Sequence, residues 1–119
     1  PLQWTGKIAF VFLLILFCLI KKRFFDNTDY KSMLEKGGVI IDVRSEAEFY
    51  SGHIKNSINN ELGELPSKNM QFKDKDQPII TCCASGMRSA GAEKIFSAKG
   101  YNNVVNGGGW SSLENKLNK

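Results

Sequence analysis

A chain of 119 residues holds one domain, and a smaller one once its first two dozen residues, dominated by an apolar run, are set aside. The net charge of +4 belongs to that end: Lys7, Lys21, Lys22 and Arg23 supply four positive charges, whereas Phe24 to Lys119 holds twelve Lys/Arg against twelve Asp/Glu. That balance leaves no basic face for a phosphate backbone and excludes nucleic acid as a partner.

Three cysteines and one histidine, with no C-x-x-C or paired Cys/His spacing, fit neither a disulfide framework nor a zinc site. No metal and no cofactor is expected. The thiols read as free, which suits a reducing compartment.

In chain order, Ile8 to Ile20 carries thirteen residues without a polar side chain, flanked by Lys7 and by Lys21-Lys22-Arg23. Thirteen helical residues span about 20 Å, short of the roughly 30 Å of bilayer hydrocarbon, but Leu2 to Ile20 reaches it if Lys7 snorkels. Trp4, Phe24 and Phe25 suit the two interfaces. A cleaved secretory signal needs its positive charge before the apolar core and small residues after it, whereas here the charge cluster comes after the core and no small-residue cleavage site follows. The segment therefore reads as a single-pass membrane anchor through residues 2–23. Three positive charges after it against one before it place the following domain on the cytoplasmic face. Residues 1–26 form the anchor and linker, and residues 27–119 the folded domain.

Asn27/Thr28 can cap a helix with apolar positions at Tyr30, Met33 and Leu34, ended by Gly37-Gly38. Val39-Ile40-Ile41 has the continuous apolar character of a strand buried on both faces, closed by Asp42-Val43-Arg44. Ser45 and Glu48 have capping-box spacing, so a short helix begins at Ser45 and stops near Gly52. Ser57-Ile58-Asn59 reads as a short strand, and Glu61 to Gln77 as a short helix with an exposed loop. Pro78 to Cys82 is the next strand. Ala90, Ala92, Ile95, Phe96 and Ala98 mark a helix ended by Gly100, followed by strand Val104-Val105, a flexible turn Gly107-Gly108-Gly109 and a terminal helix Trp110 to Leu117. Strands alternating with helices predict an α/β fold around a parallel sheet, with ligands at the carboxyl ends of strands.

The chemistry concentrates in Thr81-Cys82-Cys83-Ala84-Ser85-Gly86-Met87-Arg88-Ser89, a strand running through a glycine loop into a helix. Backbone N–H groups there, with the positive helix end, form an anion cradle that pushes a thiol toward thiolate. Counting leaves two nucleophiles open. Five residues separate Cys82 from Arg88, the C-x5-R spacing of protein phosphatases, whereas Cys83 gives a tighter six-membered loop suited to a sulfur atom.

Several further segments, in order, carry a likeness to a known family. They are Asp42-Val43-Arg44, Glu48-Phe49, Gly52-His53-Ile54, Ser57-Ile58-Asn59, Cys83-x-Ser85-Gly86-x-Arg88-Ser89, Gly100-Tyr101, Asn103-Val104 and Gly108-Gly109. With them the chain resembles the rhodanese-like sulfurtransferases over about Thr28 to Leu113. The departures are Lys55-Asn56, where members often carry Pro-Gly, and Trp110 directly after the glycines.

The resemblance implies a three-layer sandwich with Cys83 as catalytic nucleophile. Cys83 would take a sulfane sulfur from a small anionic donor such as thiosulfate and pass it, through a persulfide, to a thiol or cyanide acceptor. The acceptor could be a small thiol or a thioredoxin-like protein. Ala84, Ser85, Gly86, Met87, Arg88 and Ser89 are the expected substrate-binding loop. Their N–H groups stabilise the charged sulfur, while Arg88 attracts the donor and lowers the thiol pKa. Asp42, Arg44 and His53 read as scaffold, Trp110 as packing, and Cys82 as an inert thiol on the opposite face. The rival readings are a phosphatase or arsenate reductase using Cys82 or a remodelled loop, and a non-catalytic docking module.

Overall fold

The computed structural model describes residues 11–15 and 28–119. Residues 11–15 are helical with exposed apolar side chains, and the rest of the expected anchor lies outside the described residues. Among the described residues no helix is long and apolar enough to cross a membrane.

Four strands, β1 (Val39–Asp42), β2 (Ile58–Asn59), β3 (Ile79–Cys83) and β4 (Val104–Gly109), form one sheet in the order β2-β1-β3-β4. Every pairing is parallel, with Ile40 opposite Ile80 and Ile80 opposite Val105. Such a sheet is covered on both faces, which is why β1 and β3 are continuous apolar runs. The pleat sorts their side chains alternately. Ile41, Val43, Ile79 and Cys83 enter one core with Leu65, Ala92, Phe96 and Tyr101, whereas Ile40, Ile80 and Cys82 enter a second with Ile54 and Leu113.

Helix α1 (Tyr30–Glu35) and α4 (Trp110–Leu117) lie against the second core, and α3 (Met87–Ala98) against the first, which completes three layers. The short helix α2 (Glu46–Ser51) carries the expected capping box: Ser45 Oγ accepts from the Glu48 N–H at 3.2 Å, and Glu48 Oε1 from the Ser45 N–H at 3.2 Å. Helix α1 starts later than expected, because Asp29 rather than Thr28 is its cap, accepting from the Ser32 N–H at 3.0 Å. The expected helix after Glu61 is a 3-10 helix, Leu62–Ser67, whose Leu65 is fully buried.

Two boundaries differ from the sequence reading. Strand β3 runs one residue further, so Cys83, not Cys82, is its last residue. The triple glycine is not a flexible turn but part of β4, with Gly109 opposite Cys83. Glycine is required there by proximity: a Cβ on Gly107 would lie 2.8 Å from Ile80 Cγ2 and 2.9 Å from both Leu113 Cδ2 and the Thr81 carbonyl oxygen. Asn56, which replaces the glycine common in the family, takes the left-handed conformation that the turn demands, at φ +68°. Asparagine is among the few other residues that tolerate it.

The end of β1 is held by a buried ion pair. Arg44 Nε donates to both Asp42 carboxylate oxygens at 3.0 Å and Nη2 to Asp42 Oδ2 at 2.7 Å. The same guanidinium donates to the carbonyls of Gly52 (2.6 Å) and Glu48 (3.3 Å), so it fastens α2 to the sheet. Removing one partner of such a pair leaves an uncompensated buried charge. Asp42→Ala is therefore expected to cost about 3–5 kcal/mol of stability in urea unfolding followed by circular dichroism.

Candidate active site

At the carboxyl end of β3 the chain turns through Ala84, Ser85 and Gly86 and enters α3 at Met87. Gly86 stands at φ +103° with its Cα side facing Gly108; a Cβ would come within 3.3 Å of Gly108 Cα. Only glycine makes that turn without strain, and the turn aims main-chain N–H groups back toward the strand end. Cys83 Sγ accepts from the Gly86 N–H at 2.9 Å and lies 3.4 Å from Ser89 Oγ. The residue is fully buried, beneath exposed Ala84, Ser85 and Met87.

The two adjacent thiols have opposite electrostatics. Burial is the largest influence on Cys83 and disfavours its thiolate. Hydrogen bonds from the Ser89 side chain and from the main chain of Ser89, Gly86 and Ser85 together outweigh it, and the pKa falls below the ordinary 9.0. Cys82 has no such donors; burial, with Asp42 nearby, pushes its thiol up to about 12. Its side chain enters the other core. The reading in which Cys82 serves as a phosphatase nucleophile is thereby corrected, since the pleat turns that sulfur away from the loop.

Ser89 is fully buried and anchored on both sides. Its carbonyl accepts from Thr81 Oγ1 at 2.8 Å, and its hydroxyl lies 2.6 Å from Asn106 Oδ1 and 3.1 Å from the Gly86 carbonyl oxygen. Asn106 also accepts from the Gly108 N–H at 2.9 Å and donates through Nδ2 to Gly86 O at 3.2 Å. It thus ties β4 to the loop. Sequence reasoning missed Asn106. The available signal was a polar residue directly after Val104-Val105, in register with Thr81.

Arg88 departs from expectation. Its Nη1 and Nη2 donate to Glu48 Oε1 and Oε2 at 2.8 and 2.9 Å, in a bidentate pair whose side chains are 39% and 38% exposed. The hydrogen bonds to Arg88, helped by that from Ser45, hold the Glu48 carboxyl at about 2. The largest forces that lower the Cys83 pKa are the hydrogen bonds at the sulfur from Ser89, Gly86 and Ser85; Arg88 and Cys83 also feel one another's charge, which contributes to raising the Arg88 pKa.

The scaffold residues sit as expected. His53 Nδ1 is 2.8 Å from the Phe49 carbonyl oxygen, with its ring stacked on Phe49 at 3.8 Å, and Trp110 packs under Arg44 at 4.8 Å. Among the described residues no cluster of His, Cys, Asp or Glu could hold a metal ion.

The site is thus a thiol loop at the carboxyl end of an inner strand of a parallel sheet. The rhodanese-like domain family matches residues 26–116, and the chain belongs to it. A rhodanese domain-containing protein of Drosophila melanogaster is 40% identical over 79 residues, covering 56% of this chain and 71% of the fly protein. The thiosulfate sulfurtransferase GlpE of Pseudomonas savastanoi pv. phaseolicola is 30% identical over 83 residues, covering 66% of this chain and 74% of GlpE. A solved rhodanese with anions from E. coli superposes with a TM-score of 0.57 at 31% identity, over 63% of this chain and 89% of that one.

Because the Cys83 thiolate is favoured in the folded state, it persists to lower pH than an ordinary thiol. Alkylation of Cys83 by iodoacetamide, followed by peptide mass spectrometry, is expected to rise at lower pH than that of Cys82, which stays protected until the domain unfolds. Ser89→Ala removes a donor and shifts the Cys83 profile to higher pH.

Proposed function

We propose that this protein is a sulfurtransferase that carries a sulfane sulfur as a persulfide on Cys83. The observation that carries the reading is the Gly86 N–H on the buried Cys83 Sγ at 2.9 Å, beneath the loop that opens α3. The positive end of a twelve-residue helix and the loop amides supply partial positive charge where the thiolate resides, and the same charge suits the terminal sulfur of a persulfide. Its family membership and its likeness to a thiosulfate sulfurtransferase support the reading.

In the first half-reaction the Cys83 thiolate attacks the outer sulfur of a small anionic donor such as thiosulfate. The donor S–S bond breaks, sulfite leaves with the bonding pair, and Cys83–S–S⁻ forms. In the second, a thiolate or cyanide attacks the outer sulfur and Cys83 leaves as thiolate. The acceptor is then a small thiol or a thioredoxin-like protein.

The N-terminal segment adds a location. Residues 2–23 act as a single-pass anchor that holds the domain on the cytoplasmic face. The support is the apolar run, the charge excess after it, and the exposed apolar helical residues 11–15.

Cys83→Ala is expected to abolish thiosulfate-dependent sulfur transfer, and Cys82→Ala to retain most of it. In parallel, intact-protein mass spectrometry should show one added sulfur on Cys83 after thiosulfate treatment. Equal loss in both variants, or in neither, sinks the assignment. The anchor predicts that the full chain sediments with membranes and that deletion of residues 2–23 releases it. A cysteine placed at the C-terminal Lys119 should react with an impermeant reagent only after permeabilisation, and labelling from outside overturns the orientation.

A further inference from the structure

Arg88 is the only charged residue between Cys83 and Ser89, so it is the loop's one formal charge for attracting an anionic donor. That charge is already met. Both terminal nitrogens of Arg88 are bound to the Glu48 carboxylate, and Glu48 is itself fixed by the Ser45 N–H and hydroxyl at 3.2 and 3.0 Å. The carboxylate stays ionised throughout the neutral range, since its pKa is held at about 2.

A dianion approaching Cys83 therefore meets a guanidinium already paired with a carboxylate. To use Arg88 it must displace a preorganised carboxylate that already makes a two-point contact. A donor with a single charge, or none, forgoes less by leaving that pair intact.

We propose that Glu48 is a specificity-determining residue: by cancelling the Arg88 charge at the thiol loop it favours sulfane-sulfur donors of one negative charge or none, organic thiosulfonates and persulfides, over the thiosulfate dianion. The inference rests on the sulfurtransferase reading above. The chemistry is the same for each donor class. The Cys83 thiolate takes the sulfane sulfur, the donor S–S bond breaks, and sulfite, a sulfinate or a thiolate leaves with the bonding pair.

The test compares kcat/KM for thiosulfate and for benzenethiosulfonate, a monoanion, with cyanide as common acceptor. It uses the full chain as wild type, Glu48→Gln, Glu48→Asp, Arg88→Gln and the Glu48→Gln/Arg88→Gln double variant. Glutamine at this position can keep one acceptor oxygen in the capping box while it removes the charge and replaces the acceptor of Arg88 Nη2 with an amide donor. Glu48→Gln is expected to raise the thiosulfate value by about five-fold relative to the thiosulfonate, the size of one unit-charge interaction at about 4 Å when solvent screens it as in bulk water. The gain should fade at high ionic strength, be absent in Glu48→Asp, and be absent when Arg88 is already glutamine. An unchanged donor ratio in Glu48→Gln, or the same gain without Arg88, overturns the proposal. The sulfurtransferase reading is scored separately, by persulfide on wild-type Cys83. If neither donor produces it, that reading falls and the proposal with it.

Discussion

The Asp42–Arg44 ion pair is the interaction on which the site depends. Asp42 ends β1 with no exposed surface, and Arg44, almost as deeply buried, turns its guanidinium back to that carboxylate while binding the carbonyls of Glu48 and Gly52. Its face rests on Trp110 at the start of α4. One side chain thus joins the central sheet, helix α2 and the terminal helix. Taking two charges out of water is costly, and an apolar replacement could serve stability as well. What the pair supplies is direction: five donors in a rigid fork specify where α2 must lie. Since α2 carries Glu48, and Glu48 holds Arg88, the loop around Cys83 inherits its geometry from the end of a different strand.

The contrast between the neighbouring thiols shows how little of reactivity resides in the cysteine itself. Both are fully buried, and desolvation alone would disfavour both thiolates. The strand pleat sends Cys82 into an apolar core that offers its sulfur no donors, and Cys83 toward Ser89 and the turning main chain of the loop. One step of the pleat separates a thiol whose pKa is raised from one whose pKa is lowered. The close-packed glycines of β4 and Gly86 belong to the same design, because they let Asn106 and Ser89 approach the loop from beneath.

Much of this was legible in the residues. The apolar runs of β1 and β3, the Ser45/Glu48 capping box and the terminal helix from Trp110 to Leu117 all follow from periodicity or local spacing, and the scaffold reading of Asp42, Arg44 and His53 came with the family resemblance. The glycines of β4 were not, since three consecutive glycines signal a turn locally and only the closeness of Ile80, Leu113 and Thr81 makes them a strand. Asn106 likewise acquires a role only when β4 lies in register with β3.

The sequence by itself determined the layered α/β arrangement and the position of the thiol loop, because these depend on contacts within a strand, a turn or a helix end; counting left Cys82 and Cys83 open, and the family resemblance pointed to Cys83. The sequence also contained Glu48 and Arg88, each in a recognisable local motif. That the two would meet, forty residues apart, was decided only by the tertiary structure. An ion pair depends on where α2 and α3 are packed, and that placement comes from a buried guanidinium and a parallel sheet rather than from any local preference of either residue.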